Sequence, residues 1–82
     1  MLFSSVPSTS RIAITSVLPE SGGRARIRFR AVPGITCRIE VSPDLRTWTF
    51  LAEGITGPLG FGEVVDPNAN ASPIRFYRVS VP

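Results

Sequence analysis

Arg24, Arg26, Arg28 and Arg30 occupy every second position of one short stretch and are the most chemically distinctive set in the chain. Residues two apart on a strand share a face and sit ~6.6 Å apart, so four such guanidinium groups would form a row of about 20 Å. A row of cations at that spacing could track the charges of a polyanion, phosphates or uronates alike. Its structural alternative is a solvated outer face, neutralised in part by Glu40 if the strands pair. Nucleic-acid modules interleave exposed aromatic rings on which bases stack, and none is interleaved here. If the row binds a polymer, an acidic polysaccharide fits it better than a nucleic acid.

Other chemistry is thin. Trp48, Phe61 and Tyr77 could supply a carbohydrate-stacking platform, but such a platform needs two or three exposed rings, and the surrounding alternation turns most rings inward. Asp44, Glu63 and Asp66 are too scattered for a calcium loop. With no histidine and one cysteine, the chain offers neither a zinc site nor an intrachain disulfide. Cys37 falls on the inward phase of its segment, where a thiol behaves as a small hydrophobe. Without a histidine, a paired acid or an activated nucleophile, an enzyme is not supported, and no cofactor is implied.

Eighty-two residues set the scale at one domain. A chain this short buries only about 60% of its unfolded surface, so its stability should be modest. Eight prolines and seven glycines break up short apolar runs, and no segment carries sustained helical spacing. The net charge is +3 with a pI near 10.5, and all nine basic residues are arginine. Charged residues make up 18%, below the usual ~25%, and mean hydropathy is +0.19, a surface suited to contact with neighbouring domains or copies. No run approaches membrane-spanning length, so membrane insertion is not expected. The opening residues lack the basic start of a secretory signal.

The elements that must position these residues centre on 35–53. Cys37, Ile39 and Val41 alternate with Thr36, Arg38, Glu40 and Ser42, the period of a half-buried strand. Ser42-Pro43-Asp44 ends it as a turn, since proline presets φ and the flanking side chains can bond nearby backbone. A second strand opens at Trp48, the largest single hydrophobic surface. Around this pair, strands are expected at 11–17, 24–31, 61–66 and 74–81, with a turn cluster at 18–23. Between 31 and 35, a two-residue hairpin loop would set Arg30 opposite Cys37 and mix the faces. A three-residue loop or a crossover to a second sheet avoids that, and the crossover is preferred, as in sandwich folds. The expected core anchors are Trp48, Tyr77, Phe29, Cys37 and Ile39. Residues 1–10 read as a flexible arm or linker, and 11–82 as the domain.

The run from Ala31 to Trp48, with its Pro33-Gly34 and its Ser42-x-Asp44-Leu45-x-x-Trp48, then Gly60-Phe61, Asp66 and the closing Phe76-Tyr77-Arg78-Val79, resembles a module found near the C-termini of large secreted bacterial proteins. Those modules are similar to fibronectin type III and immunoglobulin-like β-sandwiches. The resemblance implies an all-β fold, a small antiparallel β-sandwich of about six strands that lacks a clear last strand. It implies a non-catalytic structural or adhesive role outside the cell or at its surface, with other protein domains or copies of the same chain as partners. Tyr77 would then be the corner tyrosine that bonds back to the preceding loop. The family pattern has tyrosine where Cys37 stands, which leaves room for a neighbour's side chain. With no strand after 74–81, that edge would be open to an added strand, making self-assembly into oligomers or filaments the expected use.

Overall fold

The computed structural model describes residues 2–5, by their backbone, together with 12–71 and 74–81. Among them lie seven strands and no helix: β1 (Leu2–Ser5), β2 (Ala13–Glu20), β3 (Arg24–Arg30), β4 (Thr36–Ser42), β5 (Thr49–Ile55), β6 (Phe61–Asp66) and β7 (Ile74–Ser80). They form two layers, a four-stranded sheet ordered β1-β7-β4-β5 and a three-stranded sheet ordered β2-β3-β6. The six strands β2–β7 pair antiparallel, as expected of a small sandwich. Only β1 runs parallel to its neighbour, β7. The flexible arm expected over 1–10 falls mainly outside the described residues, and its described part is a strand.

β3 is the centre of the smaller sheet and shows how alternation becomes layering. Ala25, Ile27 and Phe29 are fully buried, and the arginines between them face out. β2 pairs with β3 through a bulge between Ile14 and Ser16. The extra residue shifts the phase, so that Ile14 and Val17 both pack on the core. β2 also continues through Leu18, Pro19 and Glu20, where the composition had suggested a turn. It is an edge strand, where proline's missing donor leaves no ladder bond unmade.

The 31–35 segment crosses between sheets, so Arg30 and Cys37 never face each other. Thr56 holds this crossover. Its buried hydroxyl donates to the Val32 carbonyl at 2.7 Å and accepts from the Ile35 N–H at 3.1 Å. Gly60 fixes the neighbouring turn at φ +84°, and a Cβ there would stand 2.5 Å from the Ala31 carbonyl oxygen. Only glycine fits that approach.

In the larger sheet, Ser42 and Asp44 build the turn that stops β4. The Ser42 hydroxyl, fully buried, accepts from the N–H groups of Asp44 and Leu45, and Asp44 accepts from those of Arg46 and Thr47. These bonds, Thr47 first and Arg46 next, hold the Asp44 carboxyl below the usual carboxylate range. They also stabilise Leu45 in the left-handed region at φ +66°.

The core joins Ile27, Phe29, Cys37, Ile39, Val41, Val64 and Tyr77. Phe29, Cys37, Ile39 and Tyr77 therefore sit where the sequence puts them. Trp48 does not. It stands half-buried on the outward side of the larger sheet, with the Arg78 guanidinium 4.2 Å above its ring. The space between the layers is filled instead by Phe29, whose ring lies in a recess made by two glycines. A Cβ at Gly62 would meet the ring at 2.6 Å, and one at Gly54 at 2.9 Å. Gly54 pairs directly with Cys37, so the room beside the small thiol is taken up within the chain rather than by a neighbour. Gly62→Ala should lower stability by about 1–3 kcal/mol through overpacking. Gly57→Ala, whose added methyl meets nothing closer than 3.7 Å, should stay within ~0.5 kcal/mol. Urea unfolding checks both, and equal midpoints for the two variants would contradict the recess.

Candidate functional site at the outer edge of β7

β7 is the strand on which both layers and the candidate site depend. On its inward phase, Arg75, Tyr77 and Val79 point between the sheets. Asp66, the last residue of β6, pairs with buried Ala25 and shares its inward phase. The two sheets meet there. The Tyr77 hydroxyl donates to Asp66 Oδ2 at 2.7 Å, and Arg75 Nε donates to the same oxygen at 2.9 Å. The other carboxylate oxygen accepts from the Asn68 N–H at 3.0 Å. A carboxylate with no exposed surface would be costly without such partners. The bond expected to run to the preceding loop is made instead to a carboxylate side chain at the end of β6.

This cluster fixes the side chains of β7, and β7's backbone has two edges. One is paired with β4, from Arg38↔Ser80 to Ser42↔Phe76. The other carries β1 in parallel register: Leu2↔Ile74, Phe3↔Arg75, Ser4↔Phe76 and Ser5↔Tyr77. The edge expected to be open is therefore covered over Ile74–Tyr77 by the chain's own beginning. Among the described residues, no strand pairs with Arg78–Ser80 on that side. A strand that follows β7 by a tight turn would run antiparallel to it. The parallel direction marks β1 as added from elsewhere in the chain. Nothing in the composition of 2–5 announced this, because the pairing uses main-chain groups, which every residue but proline can offer in full.

The arginine row lies on the outward face of the smaller sheet. Arg26 Nε meets Glu20 at 2.7 Å, its Nη1 meets Glu63, and Arg28 Nε meets Glu63 at 3.2 Å. Two of the four guanidinium groups thus share acids from the neighbouring strands, which supplied the neutralisation expected of Glu40. Glu63 is held below the usual carboxylate range by Arg26 first and then Arg28. Glu40 instead pairs with Arg78 in the larger sheet at 2.9 Å. Arg24 donates to the Ser21 carbonyl, and Arg30 is exposed.

Of the three rings that could have formed a sugar platform, Tyr77 is fully buried, and Phe61 is 60% exposed on the smaller sheet. Trp48 lies on the larger sheet beneath Arg78. The structure brings no two of them together. Exposed Val32, Ile55, Leu59 and Phe61 instead flank the linked turns at one end of the sandwich. No group of three or more metal-ligating side chains occurs among the described residues.

Burial first, and the Asp66 hydrogen bond second, push the Tyr77 phenol well above its ordinary value. The unfolded chain releases this proton near pH 10 while the folded chain keeps it. The stabilising contribution is whole below about pH 10 and is lost as pH rises toward the folded value. Tyr77 is the only tyrosine, so its ultraviolet titration should coincide with loss of the β circular-dichroism signal rather than precede it. Tyr77→Phe should cost about 1–3 kcal/mol near neutrality and flatten the alkaline limb. A free titration near pH 10 would contradict the cluster. On the opposite face, Arg78→Ala should uncover the Trp48 ring, giving red-shifted emission and faster acrylamide quenching. Unchanged emission would contradict the stack.

Comparison of the chain with protein-family models, with curated proteins and with solved structures finds no match.

Proposed function

We propose that this chain is a non-catalytic structural or adhesive β-sandwich module, of the immunoglobulin and fibronectin type III kind, that makes its connections by accepting a strand at the outer edge of β7. The observation that carries this reading is the parallel seating of Leu2–Ser5 on Ile74–Tyr77. A strand from elsewhere in the chain occupies the place where a last hairpin strand would be. Main-chain bonds of this kind supply affinity with little demand on side-chain identity.

The strand order supports the family resemblance. Read from β2 onward, β2-β3-β6 opposes β7-β4-β5, as strands A-B-E oppose F-C-C′ in that sandwich plan, and β1 takes the position of strand G. The low charge and the exposed Val32, Ile55, Leu59 and Phe61 suit a domain that works against neighbours. A secreted or cell-surface setting follows from the resemblance. The salt-bridged arginine row serves in this reading as a structural face.

The test uses the full chain and a labelled peptide of residues 1–10. Ser4→Pro removes a backbone donor from the middle of β1 and should vacate the edge. The peptide should then bind the variant about tenfold or more tightly than it binds the parent chain, whose edge is occupied. Fluorescence anisotropy reads this directly. Equal binding to both chains, or binding to neither, would overturn the proposal.

A further inference from the structure

We infer that β1 exchanges between molecules, so that Leu2–Ser5 of one copy pairs in parallel with Ile74–Tyr77 of a second copy of this chain. This rests on the strand-acceptor reading above and adds the identity of the donor.

Three observations on the fold carry it. The donor segment is known to fit, because the chain's own copy sits on the edge in a defined register, four residues against four. A second copy offers the same residues to the same edge. The exchanged pair then makes the bonds already made within one molecule, the condition under which swapping an element costs little. Next, β1 packs chiefly against β7 and β2. It lies at the border of the larger sheet, so it can leave without opening the centre. The cluster of Tyr77, Asp66 and Arg75 stays closed meanwhile, and the acceptor edge keeps its shape when empty. Finally, β1 joins β2 through residues 6–12. A connection of that length spans about 20–25 Å when extended, enough to reach a neighbouring sandwich as well as its own.

The contact is heterologous, an end of one copy against an edge of another. Two copies that exchange reciprocally close a dimer, and one-way donation continues into an open chain. Within one molecule the segment is offered to its own edge at an effective concentration of about 1 mM for a short tether. Exchange should therefore be slight in dilute solution and rise steeply as the protein is concentrated toward that value.

The measurement is cysteine trapping on the full chain. Ser4 and Phe76 are register partners across the parallel pair, and neighbouring strands lie about 4.8 Å apart, within the Cα range of a disulfide. Cys37 has no exposed surface and stays out of the reaction. An isotopically heavy Ser4→Cys chain is mixed with a light Phe76→Cys chain, concentrated and oxidised, and the covalent dimers are weighed by mass spectrometry. The mixed dimer should exceed either like dimer severalfold, and its yield should climb with concentration. The doubly substituted S4C/F76C chain in dilute solution should close on itself as a monomer.

If the double variant closes but the mixture gives no excess of mixed dimer at any concentration, exchange is refuted while the acceptor edge stands. If the double variant does not close either, both fall. Should Phe76→Cys fail to fold, Leu2→Cys with Ile74→Cys repeats the test at the next in-phase pair, where Ile74 is already 42% exposed.

Discussion

The hydrogen bond from the buried Tyr77 hydroxyl to the buried Asp66 carboxylate is the constraint on which the rest of this sandwich depends. It links the last residue of the three-stranded sheet to a strand inside the four-stranded one, with Arg75 completing the charge balance on the same oxygen. An ion buried this deeply does not make a fold stable by itself, since its desolvation offsets much of the attraction. Its effect is positional. Sliding β7 by one residue would turn Tyr77 and Arg75 outward and leave the carboxylate without either partner. The register of β7 is therefore set, and with it the row of backbone donors and acceptors on its outer side.

A row of that kind, at the border of a sheet, requires a partner, whether water or a strand. Residues 2–5 meet the requirement over part of the edge and run in the direction a hairpin strand would not. In the proposed role, the same physics that makes an edge a hazard makes it a joint when the added strand is specified. Here the specification is a matter of place and register. The side chains stabilising the acceptor sit on its inner face, out of the partner's way.

Much of the architecture was legible from the residues. The strict alternation of β3 and β4 survives into buried Ala25, Ile27, Phe29, Cys37 and Ile39, because each sheet has one wet face and one dry one. The parity of Arg30 and Cys37 argued against a two-residue hairpin loop and left a three-residue loop or a crossover, and β3 and β4 indeed lie in different sheets. Other features were hidden for identifiable reasons. Trp48 looked like a core anchor by size alone, yet apolar area can also be covered by a cation, and Arg78 covers it. The bulges at Thr15 in β2 and at Leu51 in β5, opposite Ile39 and Glu40, change phase without any signature residue. Leu18-Pro19-Glu20 reads as a turn unless the strand is known to lie at an edge.

The candidate site was legible only in outline. The resemblance pointed to a missing last strand and an exposed β7, but the identity of the covering segment lay in four residues with no alternation to read. Nuclear Overhauser contacts in solution test the central claim most directly. The account predicts backbone contacts between Leu2–Ser5 and Ile74–Tyr77 in the parallel pattern, with slowed amide exchange in the same segments. Rapid exchange throughout 2–5 with no contact to 74–77 would contradict it.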